Sequence, residues 1–182
     1  MPLHHWKTLS RKTILNHPRM HIVEDIVELP DGTVTDYVRS APEKAHAVAV
    51  IALNDKNEIL LQKEYSYPPD KVLWQLPGGG MREGEDIIEA ANRELSEECG
   101  LHARSCTVIG SFYLNNRRSD MKQYIVACTD FTEKPGQRDA EEFIENIWVP
   151  INNLEAMVRN GELENVNLLA GLYMWQCMKD RT

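Results

Sequence analysis

Apolar and polar residues alternate through Met20 to Glu28 at close to the two-residue period of a half-buried strand, although Ile22, Ile26 and Val27 come round imperfectly. The turn signal Pro30-Asp31-Gly32 follows, and then the β-rich run Thr33 to Arg39, so turn chemistry predicts a hairpin. Ala45 to Ala52 is apolar apart from His46 and reads as a buried strand. Asn54-Asp55-Lys56-Asn57 is a turn, and Glu58 to Lys63 the return strand. Pro68-Pro69-Asp70 opens a loop, after which Trp74-Gln75-Leu76-Pro77 leads into Gly78-Gly79-Gly80. From Asp86 the period becomes helical, with Ile87, Ile88, Ala91 and Leu95 recurring on one side. Glu85 or Asp86 suits the positive end of the helix dipole, and Gly100 supplies a stop. Thr107 to Tyr113, Gln123 to Cys128 and Phe143 to Val149 read as further strands. Asn152 or Asn153 is expected to cap a short helix through Val158, and Val166 to Met178 to form a closing helix. Residues 1–42 thus form an N-terminal β-hairpin segment, and residues 43–182 the main domain.

The chain has 182 residues, enough for one domain with a sizeable core, and its 42% apolar and 26% charged content is that of a globular protein. Apolar runs are too short to span a bilayer, and the first residues lack a secretory signal, so a soluble cytoplasmic protein with no membrane partner is expected. Cys99, Cys106, Cys128 and Cys177 include no C-x-x-C pair and read as free thiols. A net charge of −8 argues against binding nucleic acid, which needs a basic surface. A phosphorylated substrate remains compatible, provided a cation mediates the contact.

The chemistry concentrates in one segment. Arg82 to Glu98 holds seven acids against two arginines. Glu94 and Glu98, four apart, lie about 40° from one another around a helix, with Glu97 beside them. Like charges at that spacing repel by a few tenths of a kcal/mol, and Arg93 is better placed against Glu97 or Glu85. A hard divalent cation with oxygen ligands would offset the repulsion. Just ahead, Gly78-Gly79-Gly80 lets backbone groups approach a metal or phosphate closely, because no Cβ intervenes.

Residues Gly79 to Leu101 match the Nudix box, Gly-x5-Glu-x7-Arg-Glu-U-x-Glu-Glu-x-Gly-U with U apolar. The matching positions are Gly79, Glu85, Arg93, Glu94, Leu95, Glu97, Glu98, Gly100 and Leu101. A chance match at all nine is on the order of one in a million or less. The chain therefore resembles the Nudix hydrolases. The resemblance implies an α/β/α sandwich around a mixed sheet, with the box as loop-helix-loop, preceded here by an N-terminal β-hairpin sheet. It implies that Glu94, Glu97 and Glu98, with the Gly78 carbonyl, hold Mg²⁺ or Mn²⁺, and that Glu97 and Glu98 take part in catalysis. Gly79, Glu85, Arg93 and Gly100 become structural members of the motif.

The N-terminal hairpin, the Trp74-to-Gly79 approach and the closing helices are similar to the ADP-ribose and nucleotide-sugar pyrophosphatase branch. That likeness implies a nucleotide-sugar substrate, cleavage to a nucleoside monophosphate and a sugar phosphate, and a homodimer paired through the N-terminal sheet. It also implies a late-loop acid, here Glu142 with Glu141 as neighbour, that orients or deprotonates water. Arg39, with Tyr37, ends the hairpin where the branch contacts substrate. Two departures stand out: Ser66 replaces an arginine, and Leu114 to Asp120 replaces a Ser-Pro-Gly-like stretch, leaving Arg117 and Arg118 as cations for the phosphates. The alternatives are a housecleaning nucleoside triphosphate pyrophosphatase and a catalytically silent nucleotide-sugar-binding module. His46 is expected in the core, Trp6 in core or interface packing, and Trp74 beneath the glycine loop.

Overall fold

The structure, a computed structural model, describes residues 5–42, 46–137 and 143–179. These residues form a mixed α/β protein with three sheets and few helices. The chain divides into two compact units, Met1–Ala45 with Tyr113–Lys122, and His46–Phe112 with Gln123–Thr182.

The first unit is an antiparallel sheet of β1 (Lys7–His17), β2 (Met20–Glu28) and β3 (Val34–Ser40), in that order. The expected hairpin is its second half, with Gly32 at φ +83° in the connecting turn. β1 has no counterpart in the sequence reading, because all eleven of its residues are exposed and carry no apolar alternation. On β2 the buried residues are Val23, Asp25 and Val27. A carboxylate in the middle of the inward row is what blurred the alternation. Asp25 is matched by a cation on each side: Arg11 Nε donates to Oδ1 at 2.6 Å, and Arg39 Nε to Oδ2 at 2.9 Å.

In the second unit, β4 (His46–Ala52) lies in a four-stranded sheet with β7 (Gly78–Gly80), β9 (Lys122–Glu133) and β8 (Leu101–Tyr113), ordered β7-β4-β9-β8. A second sheet has the order β10-β5-β6, with β5 (Glu58–Ser66), β6 (Lys71–Gln75) and β10 (Ile144–Pro150). Glu58 to Lys63 is thus a strand, but it is not paired along β4 as a return strand. An isolated bridge from Leu53, just past β4, to Ile59 links the two regions, and β5 pairs with β6 and β10 instead. Both runs bury residues on both faces, so packing between layers satisfies them as well as pairing would.

Alternation along these strands sorts the core. Ala49, Ile51, Ile59, Leu61, Ile125 and Val149 pack with Leu154 of α2 (Ile151–Arg159) and Leu168 of α3 (Val166–Lys179). Val50, Ala52, Leu60 and Val126 pack with Ala91 and Leu95, on the opposite side. Burial of the Val, Leu and Ile side chains in these two layers, about 1.5–3 kcal/mol each, is the main stabilisation. Pro150, rather than Asn152 or Asn153, sits at the start of α2, and no side chain caps it. Proline has no N–H to satisfy and its fixed φ suits a helix entry. His46 is half-buried, with its ring edge on Tyr124 at 5.7 Å and its Nδ1 lacking a hydrogen-bond partner among the described residues. Trp74 is on β6, part of the larger core, with Lys63 Nζ 4.5 Å above its ring. Trp6 packs edge-on against Tyr37 at 5.7 Å. Among the described residues no disulfide joins the four cysteines, and no described helix is long and apolar enough to cross a membrane.

Candidate active site

The helix that carries the acids begins as the sequence predicts. Asp86 is the N-cap of α1 (Ile87–Glu94), its Oδ1 accepting from Ile88 N at 2.8 Å and Glu89 N at 3.3 Å. The end differs. Leu95–Cys99 is a turn of π-helix, closed by Gly100 in the left-handed conformation (φ 69°), whose N–H reaches Leu95 O and Ser96 O. This wider turn leaves Glu94 and Glu98 buried, at 7% and 5% exposure, and Glu97 half-exposed. The apolar period gives no sign of such a turn, since Leu95 is its last member and the wide turn begins there.

Arg93 organises the acids. Nε and Nη2 grip Glu85 Oε1 and Oε2 at 2.7 and 3.0 Å, Nη1 donates to Glu94 Oε1 at 2.7 Å and Glu97 Oε2 at 3.1 Å, and Nη2 also reaches Gly80 O at 2.9 Å. The bond to Glu85, followed by those to Glu94 and Glu97, holds the guanidinium above its ordinary pKa. In return, Arg93 pulls the Glu85 carboxyl below its usual range. Arg82, which sequence reasoning missed, adds a weaker contact to Glu97 at 3.4 Å.

The glycines fit closely around this group. Gly78 has φ +152°, and a Cβ there would stand 2.2 Å from Val48 O, so no other residue fits. Its N–H donates to Glu98 Oε2 at 3.0 Å. A Cβ on Gly79 would stand 2.6 Å from Glu94 Oε1, so its absence makes the cradle in which that carboxylate lies. Gly78, Gly79, Glu85, Arg93, Glu94, Glu97 and Glu98 are therefore brought together in the second unit. Among the described residues no three acidic, histidine or cysteine side chains close into a ready-made cation cage. Glu94 and Glu97 instead share the Arg93 guanidinium, and Glu98 takes the Gly78 amide. The donor set itself is all oxygen, carboxylates and backbone carbonyls at a glycine cradle, which suits a hard divalent ion.

Arg39, Arg117 and Arg118 come together separately, in the first unit. With Tyr37, Tyr113 and Asn116 they line a cleft of about 330 Å³. Two of the three are partly committed: Arg39 to Asp25, and Arg118 to Val38 O at 2.9 Å and to the Tyr37 ring, 5.2 Å from its centroid. The Tyr37 hydroxyl donates to the carbonyl of Arg117. Glu142 and its neighbour Glu141 lie outside the described residues.

A loop-helix-loop with these acids, packed on the strand layer of Val50, Leu60 and Val126, defines a Nudix domain, and residues 43–170 match the NUDIX domain family. The chain belongs to the Nudix family and is a Nudix hydrolase. Residues 6–37 match the nucleoside diphosphate sugar hydrolase N-terminal domain. Among curated proteins, the chain is 27% identical over 159 residues to the ADP-ribose pyrophosphatase of Bacillus subtilis (strain 168), covering 86% of this chain and 85% of that one. It is 29% identical over 175 residues to the ADP-ribose pyrophosphatase of Mycobacterium tuberculosis (strain ATCC 25618 / H37Rv), covering 94% and 84%. A crystal structure of an ADP compounds hydrolase superposes over 100% of both chains with a TM-score of 0.89 at 21% identity, a likeness of fold.

Proposed function

We propose that this protein hydrolyses the phosphoanhydride bond of a nucleoside diphosphate linked to another group, with ADP-ribose the first candidate. The products would be a nucleoside monophosphate and a sugar phosphate. One observation carries the reading: a complete Nudix carboxylate set on a glycine-cradled helix, in a chain whose N-terminal segment matches the nucleoside diphosphate sugar hydrolase domain. The names of the relatives support the same substrate class.

In this reading Glu94, Glu97, Glu98 and the Gly78 carbonyl hold Mg²⁺ or Mn²⁺. When bound, the ion neutralises pyrophosphate oxygens and lowers the pKa of water. The chain's own part is positional. Arg93 keeps Glu94 and Glu97 on one side of the helix, and Glu85 keeps Arg93 in place. Gly78 and Gly79 leave the approach clear of side chains. Glu142 orients or deprotonates the attacking water, and Arg39, Arg117 and Arg118 bind the substrate's phosphates or sugar. We further infer a homodimer joined through the N-terminal sheet, working in the cytoplasm. Supporting the dimer, Leu9, Ile14 and Leu15 on β1 are 43–52% exposed, an apolar surface that a second copy would cover.

The test is kcat/KM with Mg²⁺ across ADP-ribose, other nucleotide-sugars, dinucleotides, coenzyme A and triphosphates, with products identified. A nucleotide-sugar is expected to lead. A triphosphate ahead by more than about tenfold, 1.4 kcal/mol in transition-state binding, would overturn the substrate class. Glu142→Gln is expected to lower kcat with little change in KM.

A further inference from the structure

We propose that Gln62 and Asn146 are positioning residues that lock Glu98 in the orientation needed to take a divalent cation. The inference rests on the metal-dependent reading above and extends it to two residues outside the Nudix box. It begins with an oddity of sequence. Gln62 lies on β5 within the run Ile59-Leu60-Leu61-Gln62, at 1% exposure. Leu60 on the same face packs into the apolar layer beneath Leu95. A third aliphatic residue would continue that layer, and a buried amide needs partners to be tolerated.

Its partners form a directed chain. Asn146 on β10 is the cross-strand partner of Gln62 in the antiparallel register. Asn146 Nδ2 donates to the backbone carbonyl of Glu98 at 2.8 Å, and Gln62 Nε2 donates to Asn146 Oδ1 at 3.2 Å and to Glu98 Oε2 at 3.1 Å. A carbonyl can only accept, so the Glu98 C=O fixes which end of Asn146 faces it. Asn146 Oδ1 then faces Gln62 and can only accept, which fixes Gln62 in turn. The remaining N–H of Gln62 is left for Glu98 Oε2 at 3.1 Å and Cys99 Sγ at 3.5 Å, and the charged carboxylate oxygen is the closer and stronger acceptor. The Cys99 thiol donates to Asn146 Oδ1 at 3.6 Å, on the same side.

The result is a ring of contacts that grips Glu98 at both its backbone and its carboxylate. The backbone contact has a further use. Glu98 lies in the π turn, near the helix end, where carbonyls lose their helical partners. Asn146 supplies one from strand β10, so the turn is held from outside the helix. With Oε2 committed to Gln62 and to Gly78 N, the plane of the carboxylate is set before any cation arrives. Loss of a partner of this kind typically costs about 10–100-fold in metal affinity.

The experiment measures Mn²⁺ binding to the full chain without substrate, by electron paramagnetic resonance of the free ion. The variants are Gln62→Met, which keeps volume and removes the donor, and Asn146→Ala, with Glu98→Gln as the control for loss of a ligand. Melting temperatures are recorded alongside. Each positioning variant is expected to raise the Mn²⁺ Kd about tenfold or more. Turnover at low Mn²⁺ should fall in proportion and climb again as Mn²⁺ is raised. A lower melting temperature with Mn²⁺ Kd within twofold of the unaltered chain would make the pair structural and overturn the proposal. If Gln62→Met does not fold, Asn146→Ala carries the same comparison. An unaltered chain that binds no Mn²⁺ overturns the metal reading and this proposal together, whereas equal binding by both variants overturns this proposal alone.

Discussion

Arg93 makes five hydrogen bonds with five N–H groups: two to Glu85, one each to Glu94 and Glu97, and one to Gly80 O. Arg93→Lys keeps the charge but offers three donors from a single point, so at least two of these bonds are lost. Bonds to charged groups contribute about 1.5–3 kcal/mol each, which bounds the loss at about 3–6 kcal/mol. The Arg93 side chain is only 15% exposed, so solvent replaces little of this. Repositioning of the lysine recovers some, and about 3 kcal/mol is expected. For a chain of 182 residues each kcal/mol moves the melting temperature by about 2–4 °C, giving a drop of about 6–12 °C. Urea unfolding should show the same loss with an unchanged m-value. A double-mutant cycle with Glu85→Gln isolates the largest contact and should give a coupling of at least about 1 kcal/mol. A melting temperature within about 2 °C of the unaltered chain, or strictly additive effects in the cycle, would refute the reasoning.

Glu98→Gln should leave the protein folded and cut kcat by at least about 100-fold, because positioning of a catalytic cation supplies several kcal/mol; near-normal turnover would remove Glu98 from the site. The neighbouring glycines should separate in their effects. Gly78→Ala drives a Cβ to 2.2 Å from backbone at Val48 and strains a positive φ, costing at least about 2 kcal/mol by thermal unfolding, whereas Gly79→Ala meets the Glu94 carboxylate at 2.6 Å and should weaken Mn²⁺ binding more than stability. Asp25 gives a pH dependence. Hydrogen bonds, first from Arg11 and then from Arg39, hold its carboxyl below the ordinary 3.8, so its contribution to stability is complete above that value and is lost as pH falls through the lower folded-state value. Asp25→Asn should flatten this part of the acid loss in urea titrations from about pH 5 to about pH 2, and an unchanged profile would show that the pair adds nothing.

Local chemistry determined much of this protein without any fold. Turn residues around Asp31-Gly32, the Asp86 cap, the Gly100 stop and the one-sided acids each act over a few residues, so each is written in a short stretch of chain. The Nudix box is legible for the same reason: its acids, arginine and glycines lie within one loop-helix-loop. What the sequence left open depends on partners far along the chain. β1 exposes all its residues and is held by its ladder to β2 and by the Arg11–Asp25 ion pair, so no apolar pattern announces it. Glu58 to Lys63 looks like a partner for β4, yet buried strands satisfy their side chains across layers as readily as within a sheet, and the tertiary fold placed it between β6 and β10. The grip on Glu98 was invisible for the strongest version of that reason. Gln62 lies 36 residues before it and Asn146 lies 48 residues after it. Alone, each is an unremarked amide in an apolar strand. Only the pairing of β5 with β10, beneath a helix turn wide enough to present Glu98, makes them one device.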